Sequence, residues 1–479
     1  MPADQRARLK QWLDSGEAQL HPLTFPQREL WEVSPVSVED SANHICCLIE
    51  VQGLLTEREC RAAIQLVVDR EEVLRLSVLP GRERPLQMIR KSSGINFDFR
   101  EVADARPEAI EESTAEIFRA PFDLVQGPLY RVVDLRRAAN DHLLIFAIHH
   151  AIADGWSLGV FVEELFAAYL QVITASSEPL PSAPQTYSAW GAAERAFWKP
   201  EMLEQRIEFW KTQLTGSRRM WNSPITPGPP KRWLSTISAS LTNETRELAR
   251  RTSITFFSAL FGTFQIAFSE WSGFDDLAVG TPVANRTKQS ARETMGYYAG
   301  IVPLRGHIDR SRVASDHLRT AHQLTIDSFA SAIPFVELVR ALGEQSEAGY
   351  NPLFEVRFAL QNHPMPEVSL PNLSARLSMR STGTARFQFA CEITESRDGL
   401  EVAWLFRENL FSQRDIESLD GIFRRVLVGI CRSPESRIYE VLNHLNERSR
   451  HRRRFQRDAR TPLGIAGGVS VSRDRFGSH

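Results

Sequence analysis

The residues of this chain whose types and spacing could do chemistry are His149-His150-Ala151-Ile152-Ala153-Asp154-Gly155-Trp156-Ser157. An imidazole has an ordinary pKa near ~6.5, so it can hold or release a proton around neutrality. The run ahead of the pair, Leu143 to Ile148, is apolar on both faces and predicts a strand in the middle of a sheet. Along a strand, neighbouring side chains face opposite ways. Only one of the two histidines can therefore face a given cavity, and the other needs a hydrogen-bond partner within the packing. The Asp-Gly turn then opens a helix from about Ser157. The amides around Gly155 to Leu158 lack partners within the first helical turn and could steady a developing oxyanion.

Three readings compete for this string. A bare His-His pair is ordinarily two core histidines satisfied by backbone. A metal site made of His149, His150 and Asp154 would need diverging strand residues to converge, with no third His or Cys near, so no metal is expected. An acyl-transfer base suits an imidazole at a strand end beside a helix N-terminus.

The elements that must position these residues are legible in outline. Leu129 to Leu135 and Leu143 to Ile148 read as two strands joined by the polar turn Ala138-Ala139-Asn140-Asp141. The helix after the string carries Leu158, Phe161, Val162, Leu165, Phe166 and Tyr169 on one broad apolar face. Thr56 to Asp69 reads as a helix with Thr56 and Glu59 as a capping box. A Pro/Ser-rich stretch near 175–186 reads as a linker. It divides the chain into a lobe of 1–180, a lobe of 181–447 and a basic, then Gly/Ser-rich tail of 448–479, which is expected to be disordered. In the second lobe a long helix, Ser253 to Trp271, leads into a strand at Leu277 to Val279 and the loop GTPVANR.

Bulk properties bound the function. The 479 residues are 42% hydrophobic and 24% charged, enough for two domains with ample core. Lys and Arg total 57 against 59 Asp and Glu, so no global field favours nucleic acid or an anionic membrane. The charged start is no signal peptide, and the most apolar stretch, Ser253 to Phe268, is shorter than a membrane span needs. Cys46, Cys47, Cys60, Cys391 and Cys431 are odd in number with no CxxC spacing, which points to a reducing cytoplasm.

The complete string HHAIADGWS resembles the HHxxxDG motif of nonribosomal peptide synthetase condensation domains. Further segments resemble that family in order: LTFPQRELW (Leu23–Trp31), REEVLRLSV (Arg70–Val78), GTPVANR (Gly280–Arg286), MGYYAGIVPLR (Met295–Arg305), IPFVELV, NPLFEVRFALQN and TARFQF. The resemblance covers roughly residues 20 to 445. Pro26 stands where the family usually has Ala, Glu71 where it has His, and Ser331-Ala332 where an acidic residue often precedes the I-P-F segment.

The resemblance implies an α+β fold, a chloramphenicol-acetyltransferase-like pseudodimer of two lobes in a V with the active site at the seam. It also implies carrier proteins that reach opposite mouths of a tunnel, each bringing a thioester on a phosphopantetheine arm, with no cofactor bound by the chain itself. His150 would take the proton of an attacking amine or alcohol, or orient it. His149 would be structural, and Asp154 would pair with Arg286 across the seam. Gly155 would let backbone approach the thioester, and Trp156, Ser157 and Asn362 are candidates for the tunnel wall. Adenylation motifs and a carrier segment are not seen, so the protein is expected to act as a monomer, in trans on carriers of other polypeptides. Amide formation is the leading expectation. Ester formation and a non-catalytic, partner-recruiting role are the alternatives.

Overall fold

The computed structural model of the chain describes residues 3–446, apart from 82–83, 103–105, 177–179, 227–229, 365 and 383–385. The tail expected from 448 onward lies outside the described residues. Strands are numbered in chain order. A small sheet is formed by β1 (Ala18–Pro22), β3 (Leu76–Leu79) and β4 (Leu86–Arg90), in the order β1-β4-β3. The first large sheet contains β2 (His44–Gly53), β5 (Phe97–Glu101), β6 (Tyr130–Ala138), β7 (Asp141–His149), β12 (Glu367–Leu370) and β13 (Leu373–Thr382). Its order is β12-β13-β2-β7-β6-β5. The second contains β8 (Lys231–Ser238), β9 (Asp276–Val283), β10 (Gly300–His307), β11 (Val356–Gln361), β14 (Phe389–Ser396) and β15 (Gly399–Phe406), ordered β10-β9-β11-β14-β15-β8.

The apolar run before the histidines forms β7, buried from His142 to its end and flanked by β2 and β6. A strand read as apolar on both faces is thus central, as burial on both faces requires. Phe146 stacks on Phe161 of the helix Gly155–Ile173, with ring centroids 3.7 Å apart. That helix is long and apolar enough for a membrane span, and here it packs between the helix Glu57–Arg70 and the first sheet.

Local chemistry explains most boundaries. The helix Gly155–Ile173 begins two residues earlier than the apolar pattern suggested, because Asp154 caps it and exchanges hydrogen bonds with Ser157. Thr56 caps the helix Glu57–Arg70, but its hydroxyl donates to the Glu59 carboxylate (2.7 Å), which does not complete the box at the Thr56 amide. Pro26 falls in the first turn of the helix Phe25–Glu32, where an N–H is dispensable. The helix expected over Ser253 to Trp271 is a correction: it runs Phe256–Ser272, after a break in which Ser253 has φ 56. Thr255 caps it, and it lies at 105° to the preceding helix, Ala239–Arg251. Apolar periodicity alone did not register that Ser-Ile-Thr break.

The sheets do not follow the division at residue 180. β12 and β13 come from the second half of the sequence and pair onto β2 of the first, Leu373 facing Gly53 and Met379 facing Cys47. The five cysteines are buried free thiols.

Candidate active site

His149 and His150 leave the end of β7 in opposite senses. His149 donates from Nε2 to the Val38 carbonyl (2.8 Å) and accepts at Nδ1 from the Ala151 amide (3.0 Å). Both nitrogens are engaged, so it has no lone pair for a metal, and burial lowers its pKa to about 3. His150 donates from Nδ1 to the Ala153 carbonyl (2.8 Å), which leaves the Nε2 lone pair as its acceptor. Burial first, and the Arg386 guanidinium second, lower its pKa to about 3 as well. At neutral pH it is a neutral imidazole of fixed tautomer, 5% exposed, whose ring lies 4.2 Å from that of Tyr297.

Asp154 sits in a clamp joining the two halves. Arg286 donates from Nη2 to Asp154 Oδ1 (2.8 Å) and to Ser157 Oγ (3.0 Å). The second Asp154 oxygen accepts the amides of Tyr298 (3.1 Å) and Ala299 (3.2 Å). Arg286 also donates from Nη1 to the carbonyls of Ala291 and Thr294. The guanidinium and the Ser157 donors outweigh burial and hold the Asp154 carboxyl below the usual carboxylate range. Glu71, at the position where the family resemblance leads one to expect His, accepts the Met295 amide at 3.0 Å and the Arg70 guanidinium at 2.6 Å. It therefore ties the first half to the same segment.

His150 borders a narrow cavity of about 70 Å³, whose walls include Glu29, Gly155, Trp156, Tyr297, Arg357 and Arg386. Arg386 donates to Glu29 (3.1 Å) and to the Tyr297 hydroxyl (3.4 Å), while Arg357 pairs with Glu392. Of these two guanidiniums, Arg386 acts on the neutral imidazole and disfavours its protonation.

Four sequence expectations change here. Ser157 is fully buried and serves the Asp154–Arg286 clamp, so it is not part of the cavity wall. Asn362 is exposed; its neighbours Gln361 and His363 line the cavity instead, as directions alternate at the end of β11. At Gly155 the room that a Cβ would fill is taken by the His363 imidazole, whose Nε2 lies 2.6 Å from that point. Of the amides thought free for an oxyanion, that of Ser157 is bonded to Asp154 Oδ1 (3.0 Å). Trp156 does line the cavity and donates from its indole N–H to the Arg292 carbonyl (3.0 Å).

Sequence reasoning missed Glu29, Tyr297, Arg357, His363 and Arg386. All five lie inside or beside segments quoted for their resemblance, and that proximity was the available signal. Charged residues destined for burial cannot be told from surface ones without their partners.

Residues 17–451 match the family model described as Condensation domain. A linear gramicidin synthase of Brevibacillus parabrevis is 28% identical over 432 residues, covering 87% of this chain and 8% of that synthase. The chain spans between 6% and 11% of the length of the curated relatives it matches. Among solved structures, the condensation domain of Monacolin K polyketide synthase MokA superposes with TM-score 0.74 at 16% identity, over 88% of this chain and 99% of that one. An X-domain from teicoplanin biosynthesis, solved in complex with OxyB, superposes with TM-score 0.75 at 19% identity, over 88% and 96%. Both are likenesses of fold.

Proposed function

The chain belongs to the condensation domain family, and we propose that it is an acyltransferase of nonribosomal peptide or hybrid polyketide assembly that forms an amide. Its donor is an acyl or peptidyl group held as a thioester on the phosphopantetheine arm of a carrier protein, and its acceptor is an amine. The protein works as a monomer in the cytoplasm, a setting in keeping with its five free thiols. The observation that carries this reading is His150: a neutral imidazole with Nδ1 fixed on Ala153 and its remaining lone pair available in a cavity lined from both halves of the chain.

The low basicity of His150 favours an amine over an alcohol. A neutral amine attacks the thioester carbon with its own lone pair and needs its N–H oriented. An alcohol needs a base strong enough to draw its proton as it attacks. With an amine, the C–N bond forms, the C–S bond breaks as the tetrahedral adduct collapses, and the proton lost by nitrogen ends on the departing sulfur. His150 Nε2 accepts that N–H as a hydrogen bond and hands the proton on. Asp154 and Arg286 take no proton; they hold the turn that carries His150.

Purified protein given carrier-loaded acyl thioesters with matched amine and alcohol acceptors tests the reading. Amide that forms in the wild type and is lost in His150→Ala supports it. Ester in place of amide selects the alcohol reading. A second possibility is a partner-recruiting member of the family without catalysis; an X-domain of the same fold was solved in complex with OxyB. No product across the panel, together with pathway output in cells that His150→Ala leaves unchanged, would count for that.

A further inference from the structure

The cavity at His150 does not end there. Glu29, Gly300 and Ile301 form part of its wall and also part of the wall of a second, larger cavity of about 520 Å³. That volume is in the range of small-molecule sites, roughly 300–1,000 Å³. One side is the helix Tyr187–Phe197, which presents Ala189, Trp190, Ala193 and Phe197; Phe25 and Phe335 line the chamber as well. The two alanines are one helical turn apart on a single face, and their small size leaves the space open.

The chamber wall is mostly aromatic and aliphatic, with polar groups at Glu29, Gln185, Glu194, Asn285, Thr287 and Lys288, of which Glu29 is paired with Arg386. Glu194 lies in its wall, and its Oε2 accepts the Phe25 amide at 3.2 Å. No cation among the described residues is within ion-pair distance of it. Burial raises its pKa to about 7, so near neutrality it is an acceptor only partly committed to charge. Lys288 also borders the chamber, on the side of the GTPVANR loop.

We propose that this chamber is the side-chain pocket of the condensation reaction and selects an aromatic ring bearing an O–H or N–H donor, a phenol or indole, which Glu194 accepts. The assignment rests on the proposed acyl transfer at His150 and adds its substrate class. Aromatic walls favour an offset or edge-on ring. A site built to hydrogen-bond a substrate hydroxyl also discriminates strongly against the analogue that lacks it. The ring could enter on the acyl donor or on the amine acceptor.

The experiment uses the full chain with N-acetylcysteamine thioesters. One arm pairs tyrosyl, phenylalanyl and alanyl donors with a single small amine. The other pairs an acetyl donor with tyramine, phenethylamine and ethylamine. The arm with the preference identifies the source of the ring. Expected is a preference of roughly tenfold or more in kcat/KM for the hydroxylated ring over its deoxy analogue. Glu194→Leu should abolish that preference, and Glu194→Gln, which keeps an acceptor oxygen, should retain it. Ala193→Trp, which fills the chamber, should depress the aromatic substrates about tenfold and leave alanyl or ethylamine turnover within about twofold.

Turnover without preference in either arm overturns the pocket, as does an Ala193→Trp variant that slows all substrates alike. Tyramine binding by calorimetry separates the two readings. If wild type binds tyramine and Ala193→Trp does not, while no substrate turns over, the pocket stands and the acyl-transfer reading falls. If neither protein binds tyramine and nothing turns over, both fall.

Discussion

The clamp between Asp154 and Arg286 permits a quantitative test, because both partners are buried and their other hydrogen bonds are known. In Arg286→Met the Asp154 carboxylate keeps the amides of Ser157, Tyr298 and Ala299 but loses its countercharge. The carbonyls of Ala291 and Thr294 lose the Arg286 donor at the same time, while that of Gly296 keeps the Ser157 hydroxyl. In Asp154→Asn the guanidinium is left buried without an anion, and an amide NH2 must face N–H donors on one side or the other. Breaking a buried pair from either end costs about 3–5 kcal/mol. The double variant removes both orphaned charges, so it should be less destabilised than the sum of the singles by about 1–3 kcal/mol.

Urea unfolding at pH 7 followed by tryptophan fluorescence measures all three. The Asp154 pKa is lowered in the fold, so the stability it contributes is present above the unfolded value near ~3.9 and is lost as pH falls below it. Arg286→Met should therefore move acid unfolding to higher pH. An Arg286→Met cost under about 1 kcal/mol, as for an exposed pair, would refute the reasoning, and so would strict additivity in the double variant.

Other predictions follow from single sites. With His150 near 3, it stays neutral across the working range, so the acid limb of kcat/KM should track the ammonium pKa of the acceptor. A limb fixed near pH 6 for two amines of different basicity would contradict that. His149 likewise falls from an unfolded value near ~6.5 to about 3, so the stability it contributes is complete above ~6.5 and drains away as pH falls towards 3, at ~1.4 kcal/mol per pH unit. His149→Gln should flatten the urea-midpoint-versus-pH curve between pH 6 and 4 by that slope. Gly155→Ala puts a methyl 2.6 Å from His363 Nε2, which should cost about 1–3 kcal/mol and be relieved by His363→Ala in the same chain. A penalty that persists in the double variant would place the conflict elsewhere.

How far the sequence could be read depended on whether the information was local. β7 and the strand-to-helix turn declared themselves through an apolar run followed by Asp-Gly, since strand burial and helix capping act over a few residues. The Ser157 position was visible, but its service to Arg286, 129 residues away, was not. Asn362 was placed on the cavity through a segment whose neighbours, Gln361 and His363, hold that role. One residue of phase at a strand end decides which side chain faces inward. Glu29 and Arg386 are 357 residues apart, and neither is distinguishable from an ordinary surface charge until the fold brings them together.

The attachment of β13 to β2 has a consequence for how the chain is made. β2 carries Ile45, Cys46, Cys47, Ile49 and Val51, all fully buried, and until β13 arrives one side of this strand is an open edge. Its partner begins at Leu373, paired with Gly53, so some 320 residues must be synthesised in between. At roughly 5–20 residues per second the first sheet waits about 15–60 s with an unpaired apolar edge. A fragment ending near residue 180 never closes it. The first half is therefore a nascent-chain hazard in its own right, and an N-terminal truncation product should aggregate or recruit a chaperone rather than persist as a separate folded lobe.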